Sequence, residues 1–235
     1  METKQPRELP RAPALTPETR LRLEQYLELL YRENTSLNLT RVPREDAWGR
    51  HIEQSLSLLG LALWRDDELA LDLGSGGGVP GVPLAIVLPR VRFVLVERQR
   101  NKAAFLDRCV SVLGLEKVEV VARDATELGR QAQHPRARVL VARAVAPPLR
   151  LVPTVAPLLA EGGEALLMVG ESFRLDQPLR RLCASLGLSS PRLMETGRAR
   201  ILAFRRQLGA RPPDPTGAKP RLPGEGALVV GLPKD

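Results

Sequence analysis

The chain has 235 residues, long enough to bury a sizeable core and to form one large domain with extensions rather than two domains. Lys and Arg number 35 against 27 Asp and Glu, a formal charge of +8 that favours a polyanionic partner such as RNA, while 3% aromatic residues exclude a base-stacking platform as the main grip. No apolar run approaches a membrane span, residues 1–14 hold three prolines where a signal peptide would be apolar, and Cys109 and Cys183 lack metal-ligand spacing or a disulfide framework. These features point to a cytoplasmic protein with two buried thiols and no metal.

Residues 1–14 read as disordered. Thr16-Pro17-Glu18 then supplies an N-cap followed by proline at the first helical position, which predicts a helix to about Arg32. Leu23, Leu27, Leu30 and Tyr31 fall on its apolar face, and Arg22, Glu24, Glu28 and Arg32 on the other. A polar loop, Glu33 to Thr40, leads to a second helix carrying Arg50-His51-Ile52-Glu53-Gln54-Ser55-Leu56, so residues 15–64 form a helical extension. His51, one of two histidines, reads either as a catalytic group or as a hydrogen-bonded structural one.

Leu69 to Leu73 is a short apolar run bounded by glycine, which predicts a buried strand. Glycine fills four of the five positions from Gly74 to Gly78, as a sharp turn or a close approach of backbone to ligand requires, and Val82 to Leu88 follows as a helix. Strand, glycine loop and helix together outline a nucleotide-type pocket. Gly76 to Gly81 satisfies G-x-G-x-x-G, a weak dinucleotide signal alone. Pro80 and Pro83 remove backbone donors from the start of the helix, which suits a pyrophosphate poorly, and no residues for a hydride-transfer site are evident.

Beyond the loop the pattern alternates. Strands are predicted at Arg92 to Glu97, Val118 to Ala122, Val139 to Ala142 and Glu164 to Val169, and helices at Asn101 to Leu113, Ala125 to Gln133, Leu151 to Leu159 and Leu175 to Leu186, with Glu161-Gly162-Gly163 as a helix stop. Such alternation means a parallel sheet covered on both faces. Two further runs, Pro191 to Glu195 and Ala199 to Arg206, read as an antiparallel hairpin that completes it. Residues 207–235 hold six prolines and five glycines and read as a flexible tail after a domain spanning 15–206.

Three charged residues fall at the carboxyl edge of this sheet, where open α/β folds bind ligands. Glu97 lies 21 residues beyond Gly76 and reads as a ribose acceptor or as an exposed strand-end charge. Asp124 is either an acceptor for an adenine amino group or the N-cap of the helix opening at Ala125. Arg143 either grips a carboxylate or phosphate or holds its own loop by a salt bridge.

Several stretches together resemble the bacterial small-subunit ribosomal RNA methyltransferase G family, also called glucose-inhibited division protein B. They are Asn38-Leu39-Thr40, Arg50-His51-Ile52 with Ser55-Leu56, Leu71-Asp72-Leu73-Gly74-Ser75-Gly76 with Val79-Pro80-Gly81, Ala142-Arg143-Ala144-Val145-Ala146, and Gly197 with Arg200. Lys219 to Gly224 is similar to a basic proline-rich tail of some members. The resemblance implies a Rossmann-like class I S-adenosylmethionine (SAM) methyltransferase that modifies N7 of one guanine in 16S rRNA of the small ribosomal subunit, at the position conventionally numbered 527.

It also implies a cofactor site at Asp72, Gly74, Ser75, Gly76, Val79, Glu97, Asp124, Ala125 and Arg143, with Asp72 facing the cationic methionine end. Arg143 would position the reactants, and Asn38, His51 and Arg200 would meet substrate RNA. The expected form is a monomer. Departures from the family pattern fall at Glu33, Gln54, Arg138, Val169 and Arg198, mostly on the substrate side, and fit a divergent enzyme, a retargeted paralogue or a non-catalytic RNA-binding relative.

Overall fold

The computed structural model describes residues 15–130 and 134–209. Seven strands form one sheet: β1 (Leu69–Leu73), β2 (Arg92–Val96), β3 (Val118–Val121), β4 (Ala137–Arg143), β5 (Leu159–Val169), β6 (Arg192–Glu195) and β7 (Arg200–Arg205). Their order is β3-β2-β1-β4-β5-β7-β6. β1 to β5 are parallel, whereas β7 runs antiparallel between β5 and β6 and closes the expected hairpin. Strand order reverses between β1 and β4, so their carboxyl ends open a crevice at the switch point.

Burial follows from the strand pattern. All five residues of β1 are buried, as a strand covered on both faces demands. Alternate side chains feed two apolar clusters, with Ala70 beside Tyr26, Leu30, Ile52 and Phe105, and Leu71 beside Leu140, Val152, Leu179 and Phe204. Both cysteines are buried and free, as expected.

Helix α1 (Pro17–Leu37) starts as predicted, with the Thr16 hydroxyl accepting from the Thr19 N–H at 3.1 Å. It continues five residues past Arg32, so most of the expected polar loop is helical. Nothing between Glu33 and Leu37 breaks a helix, and the chain stops only at Asn38, which tolerates the left-handed conformation it adopts there (φ 50°). The buried face is Leu23, Tyr26, Leu29 and Leu30, with Leu27 and Tyr31 partly buried at its flank.

The second helix is irregular. A 3-10 turn (Arg44–Asp46) precedes a π-helical segment (Trp48–Glu53), where the Gln54 N–H reaches back to the Gly49 carbonyl, and only α2 (Gln54–Leu56) is α-helical. The remaining helices are α3 (Gly81–Val87), α4 (Arg100–Val112), α5 (Ala125–Arg130), α6 (Pro148–Val155) and α7 (Gln177–Ser185).

One expected boundary is corrected. The helix predicted over 151–159 begins at Pro148, where proline suits a first turn, and passes through a 3-10 turn (Ala156–Leu158) directly into β5. Gly162 and Gly163 therefore stop no helix. They lie inside β5, Gly162 at φ 68°, beside the place where pairing with β4 shifts register between Ala137 and Val139. A Cβ on Gly163 would stand 2.7 Å from the Ala137 carbonyl oxygen, so only glycine lets the bulge close against β4.

The expected disordered start (1–14), the end of the predicted helix (131–133) and the tail from residue 210 lie outside the described residues. Among the described residues no helix is long and apolar enough to cross a membrane, and no group of three His, Cys, Asp or Glu could hold a metal ion.

Helix α1 also braces the glycine loop. The buried Tyr26 hydroxyl donates to the Gly77 carbonyl at 2.7 Å, and burial raises its pKa well above the ordinary value. Tyr26→Phe leaves that carbonyl unpaired and is expected to cost about 1–3 kcal/mol of stability in urea unfolding.

Candidate active site

The loop from Gly74 to Pro80 is folded around the end of β1. The Gly74 and Ser75 N–H groups donate to the Val96 carbonyl at 2.8 and 3.1 Å, and the Ser75 hydroxyl donates to the Asp72 carbonyl at 2.9 Å. Gly74, Gly76 and Gly78 take φ of 66°, 55° and 95°, values that disfavour any side chain. Val79 is buried, and its bond to Pro80 is cis. At Gly76 a Cβ would meet nothing nearer than the Gly74 carbonyl oxygen, 3.8 Å away, so that stretch of backbone borders open space.

Asp72 is wholly buried. One carboxyl oxygen, Oδ2, accepts from the Gly81 N–H at 3.0 Å, while Oδ1 has no hydrogen-bond partner among the described residues. Burial pushes the carboxyl up to about 7, against the opposing pull of the nearby Ser75 hydroxyl, the Gly81 N–H and the Arg143 guanidinium.

Glu97 is buried rather than exposed at its strand end. Its Oε2 accepts from the Gly76 N–H at 2.9 Å and its Oε1 from the Gln99 N–H at 2.8 Å, joining the glycine loop to the start of α4. Each oxygen keeps a second lone pair. Asp124 caps α5, with Oδ1 accepting from the Thr126 N–H at 2.8 Å and its hydroxyl at 2.6 Å, and that hydroxyl holds the carboxyl below its ordinary value. Ala125 is the first residue of that helix.

Arg143 ends β4, on the far side of the crevice. Among the described residues it makes no carboxylate salt bridge. Its guanidinium instead donates to the Arg50 carbonyl at 3.1 Å and, through both terminal nitrogens, to His51 Nδ1 at 3.3 Å. Because a guanidinium only donates, Nδ1 is the acceptor and the ring proton sits on Nε2, which donates to the Thr40 hydroxyl at 3.0 Å. The His51 ring is 0% exposed, and burial, with Arg143 and Arg50 adding to it, lowers its pKa to about 4. It is neutral at pH 7.

Thr40 is itself held by Asn34, whose side chain accepts from the Thr40 N–H at 2.8 Å and donates to its carbonyl at 3.0 Å. Asn34 is the residue that sequence reasoning missed. Its signal was masked by the assumption that the helix had already ended. Asn38, the motif residue singled out, is exposed and ends α1, its N–H donating to the Asn34 carbonyl at 3.1 Å.

Arg200 is engaged away from this line. Its guanidinium donates to the carbonyls of Gly170 (3.3 Å), Phe173 (3.2 Å) and Glu171 and pairs with Glu195 at 3.0 Å, pinning the loop after β5. The departures from the family pattern find local partners. Arg198 pairs with Glu53 at 2.9 Å, Glu33 with Arg108 at 2.6 Å, and Arg138 donates to the Glu161 carbonyl at 3.0 Å. Val169 ends β5, packed against the apolar cluster, and Gln54 opens α2.

The family model GidB, described as rRNA small subunit methyltransferase G, matches residues 20–188. Ribosomal RNA small subunit methyltransferase G of Pelotomaculum thermopropionicum is 34% identical over 209 residues, covering 86% of each chain. Its counterpart from Rubrobacter xylanophilus is 37% identical over 219 residues, 87% of this chain and 83% of that protein.

Among solved structures, a mutant of MtNAS in complex with S-adenosylmethionine superposes with a TM-score of 0.56 at 16% identity, covering 80% of this chain and 76% of that one. A SAM-dependent O-methyltransferase from Thermotoga maritima gives 0.53 at 16% identity, over 76% and 71%. The fold is thus the Rossmann-like class I SAM methyltransferase fold expected from the sequence. With the family model covering most of the domain and relatives matching nearly end to end, the chain belongs to the rRNA small subunit methyltransferase G family.

Proposed function

We propose that this chain, acting as a cytoplasmic monomer, transfers the methyl group of SAM to N7 of a guanine in 16S rRNA of the small ribosomal subunit. The observation that carries the reading is the crevice between β1 and β4, where a glycine turn meets a buried carboxyl oxygen and a guanidinium that find no donor and no counter-anion among the described residues, a set suited to a zwitterionic cation. SAM supplies an electrophilic methyl on a positively charged sulfur. The residues present fit it: Asp72 Oδ1 lacks a donor, and the backbone at Gly76 borders open space.

In this reading Gly74, Ser75, Gly76 and Val79 shape the floor of the site. Asp72 offers its free oxygen to the cationic end, and Arg143 offers its unused N–H groups to a carboxylate or phosphate. Glu97 accepts from the ribose hydroxyls through its remaining lone pairs, and Asp124 with Ala125 borders the adenine. The chemistry asks little of acid or base. Guanine N7 carries an unprotonated lone pair, so the protein must align it with the methyl–sulfur bond and exclude water. His51 agrees with this, since both its nitrogens are engaged and it is already neutral.

The alternative, an RNA-binding relative without turnover, is favoured by the apolar Val169, one of the departures from the family pattern noted in the sequence. Transfer of labelled methyl from SAM to small ribosomal subunits lacking this modification separates the two. Recovery of 7-methylguanosine is expected. SAM binding without any labelled nucleoside would leave the alternative standing and sink the N7 proposal. Arg143→Ala is expected to lower kcat/KM about 10–100-fold, the loss of charge-assisted hydrogen bonds, while thermal unfolding stays cooperative.

Asp72 also predicts a pH dependence. Below about pH 7 the buried carboxyl is largely protonated in the free protein, so a cationic ligand must expel a proton to pair with it. SAM affinity should rise roughly tenfold as pH climbs from about 5.5 to 7, and proton release should accompany binding at the lower pH. Titration calorimetry in buffers of different ionisation enthalpy measures both, and the slope should vanish in Asp72→Asn.

A further inference from the structure

We propose that His51 is a positioning residue for methyl transfer that acts only through Arg143, a neutral ring at the end of an Asn34–Thr40–His51 line that sets the angle of the guanidinium. The proposal rests on the methyltransferase reading above and departs from the expectation that His51 meets RNA. The ring is 0% exposed, so neither a base nor a phosphate reaches it, and both nitrogens already have partners.

The chemistry of the pair explains why a histidine stands there. Arg143 is half-buried, and among the described residues it makes no ion pair. A carboxylate in the place of His51 would orient the guanidinium equally well but would neutralise it, leaving little attraction for an incoming anion. A neutral imidazole accepts the same hydrogen bonds and leaves the full positive charge available. A protonated ring could not accept them and would repel the arginine, so neutrality is part of the device.

The line continues away from the site with each joint fixed. Thr40 Oγ1 accepts from His51 Nε2 and from the Val42 N–H at 3.1 Å, and the Asn34 amide clamps the Thr40 backbone in both directions. The Tyr31 hydroxyl donates to the Val42 carbonyl at 2.8 Å, and its ring stands 6.3 Å from that of His51. Support from outside the sheet is needed because the chain turns immediately after Arg143, with Ala144 at φ 53°. The charged and titratable groups facing the ring are therefore Arg143 from β4, Arg50 from its own turn and Tyr31 from α1.

A double-mutant cycle tests the claim. His51→Ala should lower kcat/KM about 10–100-fold, as Arg143→Ala does, and the double variant should be no slower than Arg143→Ala alone. Losses that multiply would show that His51 has its own contact with a reactant and would overturn the proposal. His51→Gln, whose amide oxygen still accepts from Arg143, should recover part of the rate that His51→Leu does not. If His51→Ala fails to fold, Thr40→Val serves in its place, with the same non-additivity expected.

A second measurement does not depend on turnover. With only two histidines in the chain, imidazole ¹⁵N spectra assign readily against His134→Gln. A neutral Nε2–H tautomer at pH 7, with an Nδ1 signal that shifts in Arg143→Ala, is expected. An Nδ1–H tautomer, or a His51 ring that titrates near its ordinary value, would refute the line of hydrogen bonds even if the protein methylates RNA. The expected tautomer in a protein without methyl transfer would instead isolate the failure to the proposed reaction.

Discussion

The site is built around a carboxyl group removed from water. Asp72 stands at the end of β1 with one oxygen on the Gly81 N–H, and that single bond dictates much of what surrounds it. A Cβ on residue 81 would lie 2.5 Å from Asp72 Oδ2 and 2.5 Å from Leu95 Cδ2, so the start of α3 must be glycine for helix and strand to approach. Leaving the second oxygen without a donor costs on the order of 1–3 kcal/mol. A cost of that size, beside a charged arginine and a turn lined by glycine, suits the role toward a cation proposed for this carboxyl.

The sheet, the loop and the hairpin were legible because their signals are local. A five-residue run that is apolar but for Asp72 and closed by glycine reads as a buried strand, and the glycines at 74, 76 and 78 announce backbone that side chains rarely adopt. What escaped was set by partners far along the chain. The Asn34 amide reads as loop chemistry until Thr40 folds back onto it, and Gly162-Gly163 reads as a helix stop until the Ala137 carbonyl presses against it. The roles of Asp124 and Glu97 were half legible. Their capping and bracing bonds are visible in the fold, while their ligand roles stay proposals tied to SAM.

The departures from the family pattern take on a different look once partners are known. Arg198 sits on the hairpin turn and Glu53 on the π-helical segment, so their pair ties those two elements together. Arg138 and Glu33 likewise join neighbouring elements through a carbonyl and through Arg108. Exposed pairs of this kind contribute little stability, typically under about 1 kcal/mol. Their significance is geometric: they tie surface elements together and take no partner from the line running from Asn34 to Arg143.

The π-helical turn between Trp48 and Glu53 gives this region a sensitivity to chain length. A π turn holds more residues than an α turn for the same hydrogen-bonded closure, and here the wider ring carries His51 inward while Arg50 stays at the surface with its carbonyl turned to Arg143. Loss of one residue within the turn would let it close as an ordinary α turn onto the same later residues, rotating the side chains inside it, His51 among them, by up to about 100°. The registry of the buried histidine thus depends on counting as much as on identity, and a deletion that changes no named site residue would silence the site as surely as replacing one.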